Sequence, residues 1–301
     1  MITVIGSINM DFIIQLTTFP QQGETVIGRS LQTMPGGKGA NQAIAIARLG
    51  SDVTMVGCVG SDDLGRALKT QLQQEHVKSD YVTTVTGATG IANILLHDED
   101  NRIIVVPGAN EALQPAQLMA VKEVIQRSQL VVMQLEIPQQ TVSYALQLCK
   151  EASVPVLLNP APATNFDPQW LEDITYLTPN QTEFEQLFEG DLESVLAHYP
   201  NQLIVTLGNE GACYFDGAHL IHIPAYMTPV VDTTGAGDTF NGALAYALVV
   251  GQTLEEAVYF ANVAASLAIG EVGAQTGMPS AKMVYARMMG LEDEFGIIND
   301  D

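Results

Sequence analysis

Short runs of aliphatic and β-branched residues alternate with stretches of helical periodicity along almost the whole chain, and no other feature narrows the possible folds as far. Strands are read at residues 2–6, 52–58, 130–135, 154–158, 174–177 and 203–207. Helices are read from the 34–41 stretch to about 49, and at 62–74, 115–127, 138–150, 181–188, 238–250 and 253–269, with a last one after 277. A helix between two strands returns the chain so that the next strand runs in the same direction, so the pattern specifies βαβ units and a mostly parallel sheet. Two β pairs interrupt it: 12–16 with 25–31 across the turn-rich residues 20–23, and 89–96 with 102–106 across 98–101. A further hairpin, at 212–215, turns at Asp216-Gly217. The expected fold class is α/β, a doubly wound, mostly parallel sheet with helices on both faces, in a single domain over residues 1–301. The two inserted pairs, about 11–34 and 89–107, are expected to join as a small β-sheet lid.

In an open α/β sheet, ligands collect outside the carboxyl ends of the strands. Applied here, that rule gathers Asn9, Asp11, Glu136, Asn159, Asn180, Thr206, Gly208 and the loop at 235–238 on one edge, so one cleft is expected. Charge restricts what enters it. With 34 acidic residues against 12 basic ones the net charge is −22, a surface that repels nucleic acid and anionic membrane. Neither is an expected partner. The 47% apolar composition argues against disorder as the reason for the acidity and leaves salt adaptation open. Cys58, Cys149 and Cys213 are far apart and form no Cys-x-x-Cys, which argues against a zinc site or a disulfide framework. The first cationic side chain is Arg29, and the uncharged run at 239–254 is too short and interrupted to span a bilayer. A cytoplasmic protein is expected.

The chemistry concentrates in Val231-Asp232-Thr233-Thr234-Gly235-Ala236-Gly237-Asp238-Thr239-Phe240-Asn241-Gly242. Gly235, Ala236 and Gly237 let the backbone turn sharply and aim successive N–H groups at one point, where the following helix adds the positive end of its dipole. That point suits an anion. Asp238 alone reads as a helix-start acid; beside an anion hole it reads as the base that takes a hydroxyl proton during phosphoryl transfer. Gly36-Gly37-Lys38-Gly39-Ala40-Asn41 lacks the spacing of a Walker A loop or a dinucleotide fingerprint, and reads either as a turn before a helix or as backbone approaching a small polar ligand. Asn180-Gln181-Thr182-Glu183 is a capping box, which needs no ligand. Glu136 reads as a solvated loop acid or as a contact to a sugar hydroxyl or a metal-bound water.

These stretches, with Gly6-Ser7-Ile8-Asn9-Met10-Asp11, Met133-Gln134-Leu135-Glu136 and Asn159-Pro160-Ala161-Pro162-Ala163, resemble the ribokinase-like sugar kinases, the PfkB group, over essentially the whole chain. The resemblance implies an ATP-dependent carbohydrate kinase that phosphorylates D-ribose at its 5-hydroxyl. It implies Asp238 as the base, with Gly235, Ala236 and Gly237 as the anion hole, and sugar contacts from Asn9, Asp11, Gly37, Lys38, Asn41 and Glu136. It places the nucleotide against Asn180, Thr206, Leu207, Gly208, Asn209, Glu210, Gly211, Gly237 and Asn262, with Mg²⁺ held indirectly through Asn180 and Glu183. It places an activating K⁺ among Asp232, Thr234, Ala268, Glu271, Gly273 and Gly277, and pairs two chains through their lids as a homodimer. Gly277 departs from the Ser often found there in the family, and Asn262 stands where His is common. A sister kinase for deoxyribose, another sugar or a nucleoside is the alternative, followed by a sugar- or nucleotide-sensing protein without catalysis.

Overall fold

The structure, a computed structural model, describes residues 1–97 and 100–291. From the start of the chain, β1 (Ile2–Ile5) leads to β2 (Asn9–Gln15), β3 (Ser30–Gly36) and helix α1 (Lys38–Arg48), then to β4 (Val53–Gly60), α2 (Asp63–Gln74) and β5 (Lys78–Val85). β6 (Gly90–His97) and β7 (Asp100–Val106) follow, then α3 (Pro115–Ala120), α4 (Lys122–Gln126), β8 (Leu130–Gln134), α5 (Gln139–Ala152), β9 (Val156–Asn159) and β10 (Tyr176–Leu177). The last third holds α6 (Gln181–Leu187), α7 (Leu192–His198), β11 (Ile204–Thr206), β12 (Ala212–Phe215), β13 (Leu220–Ile223), α8 (Ala236–Val249), α9 (Leu254–Ala268) and α10 (Ala281–Met289).

Six of these strands form one sheet in the order β10-β9-β8-β1-β4-β5, paired in parallel throughout. Side chains alternate across it. Ile2 and Val4 join Ile44, Leu244 and Phe260 on one face, whereas Ile5 joins Leu118, Ile125 and Leu146 on the other. Full burial of such a side chain contributes about 1.5–3 kcal/mol, and helices on both faces bury all of them. The sheet order reverses beside β1, with β8 on one flank and β4 on the other, which opens a crevice at their carboxyl ends. A separate four-stranded sheet, β3-β2-β6-β7, stands above that crevice; β2 and β6 are parallel and the outer pairs antiparallel.

Several elements differ from the sequence reading. The partner of β2 is residues 30–36, not 25–31, and Pro35 pairs with Met10; proline is tolerated because β3 is an edge strand. Asn9 and Asp11 therefore lie on β2 itself rather than in a loop after β1. β5 has no counterpart in the sequence reading because its polar residues lie exposed on an edge and only Ser79 and Val82 are buried. The helix read at 115–127 breaks at Val121 into α3 and α4. α7 is a short helix after Gly190, capped by Asp191 through the Ser194 N–H at 3.0 Å. β11 pairs antiparallel with β12 in a three-stranded sheet, β11-β12-β13, and the isolated bridges Leu177–Leu203 and Asn180–Thr206 join this stretch of chain to the main-sheet edge. With two residues, β10 is too short to continue the ladder. Of the turn read at 98–101, Asp98 and Glu99 lie outside the described residues, while Asp100 and Asn101 belong to β7. Among the described residues no helix is long and apolar enough to cross a membrane.

Candidate active site

The site is built where α8 begins. Gly235 caps the helix with φ 78° and ψ 0°, and a Cβ there would fall 2.4 Å from the Ala274 carbonyl oxygen, so the position requires glycine. The Ala236 N–H turns back to the Thr233 carbonyl at 3.2 Å. Gly235 and Gly237 line a cavity of about 230 Å³, and Ala236 does not. Asp238, only 6% exposed, lies in the first turn of α8 and lines the same cavity. α8 lies close against α1, since a Cβ on Gly242 would sit 2.6 Å from that of Ala45. This approach brings two amides of α1 to the carboxylate: Asn41 Nδ2 donates to Asp238 Oδ2 at 2.8 Å, and Gln42 Nε2 to Oδ1 at 3.0 Å.

Lys38, Asn159, Ala161, Thr178, Asn180, Glu183, Thr206, Thr233 and Asn241 complete the wall of that cavity. Asn241 Nδ2 donates to the Gly237 carbonyl at 2.8 Å, and its Oδ1 receives Thr178 Oγ1 at 2.5 Å, so the first turn of α8 is tied to the strand end beyond β10. A second cavity of about 190 Å³ is lined by Asn9, Asn110, Glu136, Val105, Pro107 and others. Asn110 Nδ2 donates to Asn9 Oδ1 at 2.7 Å, which fixes the orientation of the Asn9 amide. Glu136 Oε2 accepts from Ser7 Oγ at 2.5 Å and from the Lys38 N–H at 3.2 Å. Gly37 lies flush with β2; a Cβ there would come within 2.6 Å of the Asn9 nitrogen.

Acidic groups dominate the electrostatics. Burial, then the Glu136 and Asp238 carboxylates, push the Asp11 carboxyl from the ordinary 3.8 to about 7, against the pull of Lys38. Burial works to lower the Lys38 ammonium, but Asp238, Glu136, Glu183 and Asp11 together hold it above its usual value. Glu183 is raised by burial, although its bond from the Asn180 N–H and the charge of Lys38 oppose this. One ammonium among four carboxylates can steady an incoming phosphate, but it cannot neutralise a triphosphate.

The remaining expected residues fall outside the two cavities. Leu207, Gly208, Asn209, Glu210 and Gly211 form a tight turn after β11, closed by the Leu207 N–H on the Gly211 carbonyl at 2.7 Å. The Asn262 NH₂ is engaged by the carbonyls of Ile223 (2.9 Å) and Pro224 (3.2 Å). Asn180 and Glu183, which do line the larger cavity, also cap α6 reciprocally, as their spacing predicts. The Asp232 carboxylate accepts the N–H of Thr234 at 2.9 Å and of Gly273 at 2.8 Å; burial acts to raise its pKa, but its hydrogen bonds from Thr234 and Gly273 together hold it below the usual range. A hollow of about 890 Å³ lies at the opposite ends of the strands, lined by Met1, Thr54, Lys78 and Arg127 among others, and holds none of these groups. Sequence reasoning missed Gln42, Gln134, Thr178, Asn110 and Gln275. Gln42 follows Asn41 in the glycine-rich motif and Gln134 ends an apolar strand, signals that were available; Asn110 sits in a short 3₁₀ helix, Gly108–Ala112, and Gln275 in a turn, and neither had one.

A buried carboxylate in the first turn of a helix, lining a cavity with Gly235 and Gly237 beyond the carboxyl ends of β9 and β11, is the arrangement of a phosphotransferase that acts on a hydroxyl. The chain belongs to the pfkB family of carbohydrate kinases, whose model matches residues 1–281. It is 46% identical to a ribokinase of Lactococcus lactis over 293 residues, 97% of this chain and 98% of that one. Among solved structures it is similar to the ribokinase of Thermotoga maritima, with TM-score 0.89, 33% identity and coverage of 96% and 99%. It also resembles the Arabidopsis thaliana ribokinase complexed with ribose and ATP, with TM-score 0.86, 34% identity and coverage of 94% and 97%.

Proposed function

We propose that the chain is a ribokinase-type enzyme that transfers the γ-phosphoryl group of ATP to the 5-hydroxyl of D-ribose. The observation that carries this is Asp238, buried beside Gly235 and Gly237 and fixed by Asn41 and Gln42. Asp238 accepts the hydroxyl proton as the sugar oxygen bonds to phosphorus in line, and the bond from phosphorus to the bridging oxygen breaks to release ADP. The N–H groups of Gly235 and Gly237, with the dipole of α8 and the Lys38 ammonium, hold the charge on the transferring group. Asn9 and Asp11 bind ring hydroxyls, with Gly37, Asn41 and Glu136 around them. The nucleotide lies along Asn180, Thr206 and the 207–211 turn, with Asn262 behind it. Asn180 and Glu183, both on the wall of the cavity that holds Asp238, would hold Mg²⁺ indirectly, and that ion would supply the positive charge that the phosphates require.

The four-stranded sheet is read as a lid over the sugar, because β2 carries Asn9 and Asp11 while Val105 and Pro107 line the smaller cavity. Three buried, unpaired cysteines suit a reducing compartment, so the cytoplasm is the expected location. The test is ATP-dependent ADP release with a panel of pentoses, hexoses and nucleosides. D-Ribose should exceed 2-deoxyribose in kcat/KM, because loss of a hydroxyl leaves buried polar partners unpaired. Equal values would favour the sister-kinase reading, and absence of release with every acceptor would remove the kinase assignment.

A further inference from the structure

A carboxylate only accepts hydrogen bonds, so the amides that touch Asp238 have no choice of direction, and neither do the amides that touch them. Asn41 turns Nδ2 to Asp238, leaving its Oδ1 to face away; that oxygen receives Gln275 Nε2 at 2.7 Å. Oε1 of Gln275 in turn receives Nε2 of Gln71, on α2, at 2.6 Å. On the other side Gln42 turns Nε2 to Asp238, and its Oε1 receives Gln134 Nε2 at 2.6 Å. Both rows point their donors at the carboxylate. Each ends in a buried oxygen with no hydrogen-bond partner among the described residues, Oε1 of Gln71 in one and Oε1 of Gln134 in the other. Orphaned buried oxygens are unfavourable, and a polarity imposed from Asp238 accounts for both. Gln275 is itself fixed: its carbonyl accepts Arg48 Nη1 at 2.5 Å, and Arg48 is clamped on Glu75 by bonds of 2.8 and 2.7 Å.

We propose that Gln275 is a positioning residue for phosphoryl transfer: by holding the amide of Asn41 in one orientation, it keeps an N–H donor, and not an oxygen, against Asp238. The inference rests on Asp238 being the base. Gln275→Glu removes the donor that Asn41 Oδ1 requires, so Asn41 turns over, donates to the new carboxylate and presents oxygen to Asp238. Gln275→Leu removes the partner without reversing the row. The row also predicts an effect from outside the cavity: Gln71→Glu, at a half-buried position, turns Gln275 and then Asn41.

The experiment measures kcat, both KM values, melting temperature and the side-chain amide ¹H–¹⁵N signals of Asn41 in the three variants. The expected result is a kcat for Gln275→Glu at least about tenfold below wild type, a misplacement-sized loss. Gln275→Leu should lie between the two, Gln71→Glu should move with Gln275→Glu, and the KM for ATP should be unchanged. Losses that track melting temperature alone, with unmoved Asn41 signals, would overturn the proposal. Asn41 signals that shift while kcat holds would show that the row exists but that Asp238 is not the base, which separates the two failures. If Gln275→Glu does not fold, Gln71→Glu decides by the same readouts.

Discussion

At the scale of single residues, Asp238 carries the chemistry and its neighbours set its geometry. Asp238→Asn keeps the shape but only one of the two acceptor oxygens and cannot take a proton, so kcat should fall by at least about 10²-fold in a protein that still folds. A folded variant with near-normal turnover would exclude the base role. Asp11 supplies a second prediction. Its folded-state pKa of about 7 exceeds the ordinary 3.8, so between these values the folded chain holds a proton that the unfolded chain has released. Stability from this group is therefore full below about pH 4 and is lost as pH rises to 7, the reverse of the usual paired carboxylate. Asp11→Asn has no proton to lose, and thermal unfolding of the ligand-free variant should decline less than wild type across that interval; parallel curves would refute the assignment. The polar residues at strand ends were legible because a carboxylate or amide after an apolar run has few structural uses. Gln275 was not, because its significance arises only when the loop folds back 234 residues to meet Asn41.

At the scale of elements, the helix starts and the parallel strands were legible because their signals are local: Thr253 and Glu256 cap α9 as a reciprocal pair, as their spacing implies. β5 and the end of β3 were not, because edge strands bury too little to leave a periodic pattern. The loop before α8 and the loop after α9 show what cooperates beyond local signals. Val231 and Asp232 donate their N–H groups to the Ile269 carbonyl at 2.8 and 3.2 Å, and Asp232 receives the Gly273 N–H. Gly277 presses on the Ala268 carbonyl, leaving 2.2 Å where a Cβ would be, so the serine common at this position has no room without a shift. The family resemblance sets the Asp232 carboxylate with carbonyls at Thr234, Ala268, Glu271, Gly273 and Gly277, a hard-oxygen donor set suited to a large monovalent cation. Such an ion would order both loops behind Gly235, which already leans on Ala274. Initial rates at fixed ionic strength and saturating Mg·ATP and ribose should fall as K⁺ is replaced by tetramethylammonium. A rate that does not change would show that this chain works without the ion.

At the scale of the whole molecule, the four-stranded sheet is the part whose surface a lone chain leaves unexplained. Ile103 and Ile104 are each 56% exposed, Val105 and Val106 nearly as much, and Leu31 and Ile27 more so, all on or beside the edge strands β3 and β7. Apolar residues gathered on sheet edges invite pairing, and a protein with a net charge of −22 otherwise keeps its copies apart. A second copy of the same sheet, related by a twofold axis, would cover this surface on both chains at once. It would also brace β2 from outside, and with it Asn9 and Asp11, so association should be felt in sugar binding more than in nucleotide binding. Ile103 and Ile104 point to opposite faces of the sheet, so replacing both with lysine charges whichever face is covered. In sedimentation velocity at micromolar concentration the wild type should run as a dimer and the double variant as a monomer. The variant should also show a raised KM for ribose with little change in the KM for ATP. A wild-type chain that sediments as a monomer would remove the dimer, and a monomeric variant with an unchanged KM for ribose would show that the sheet closes over the sugar without a partner's help.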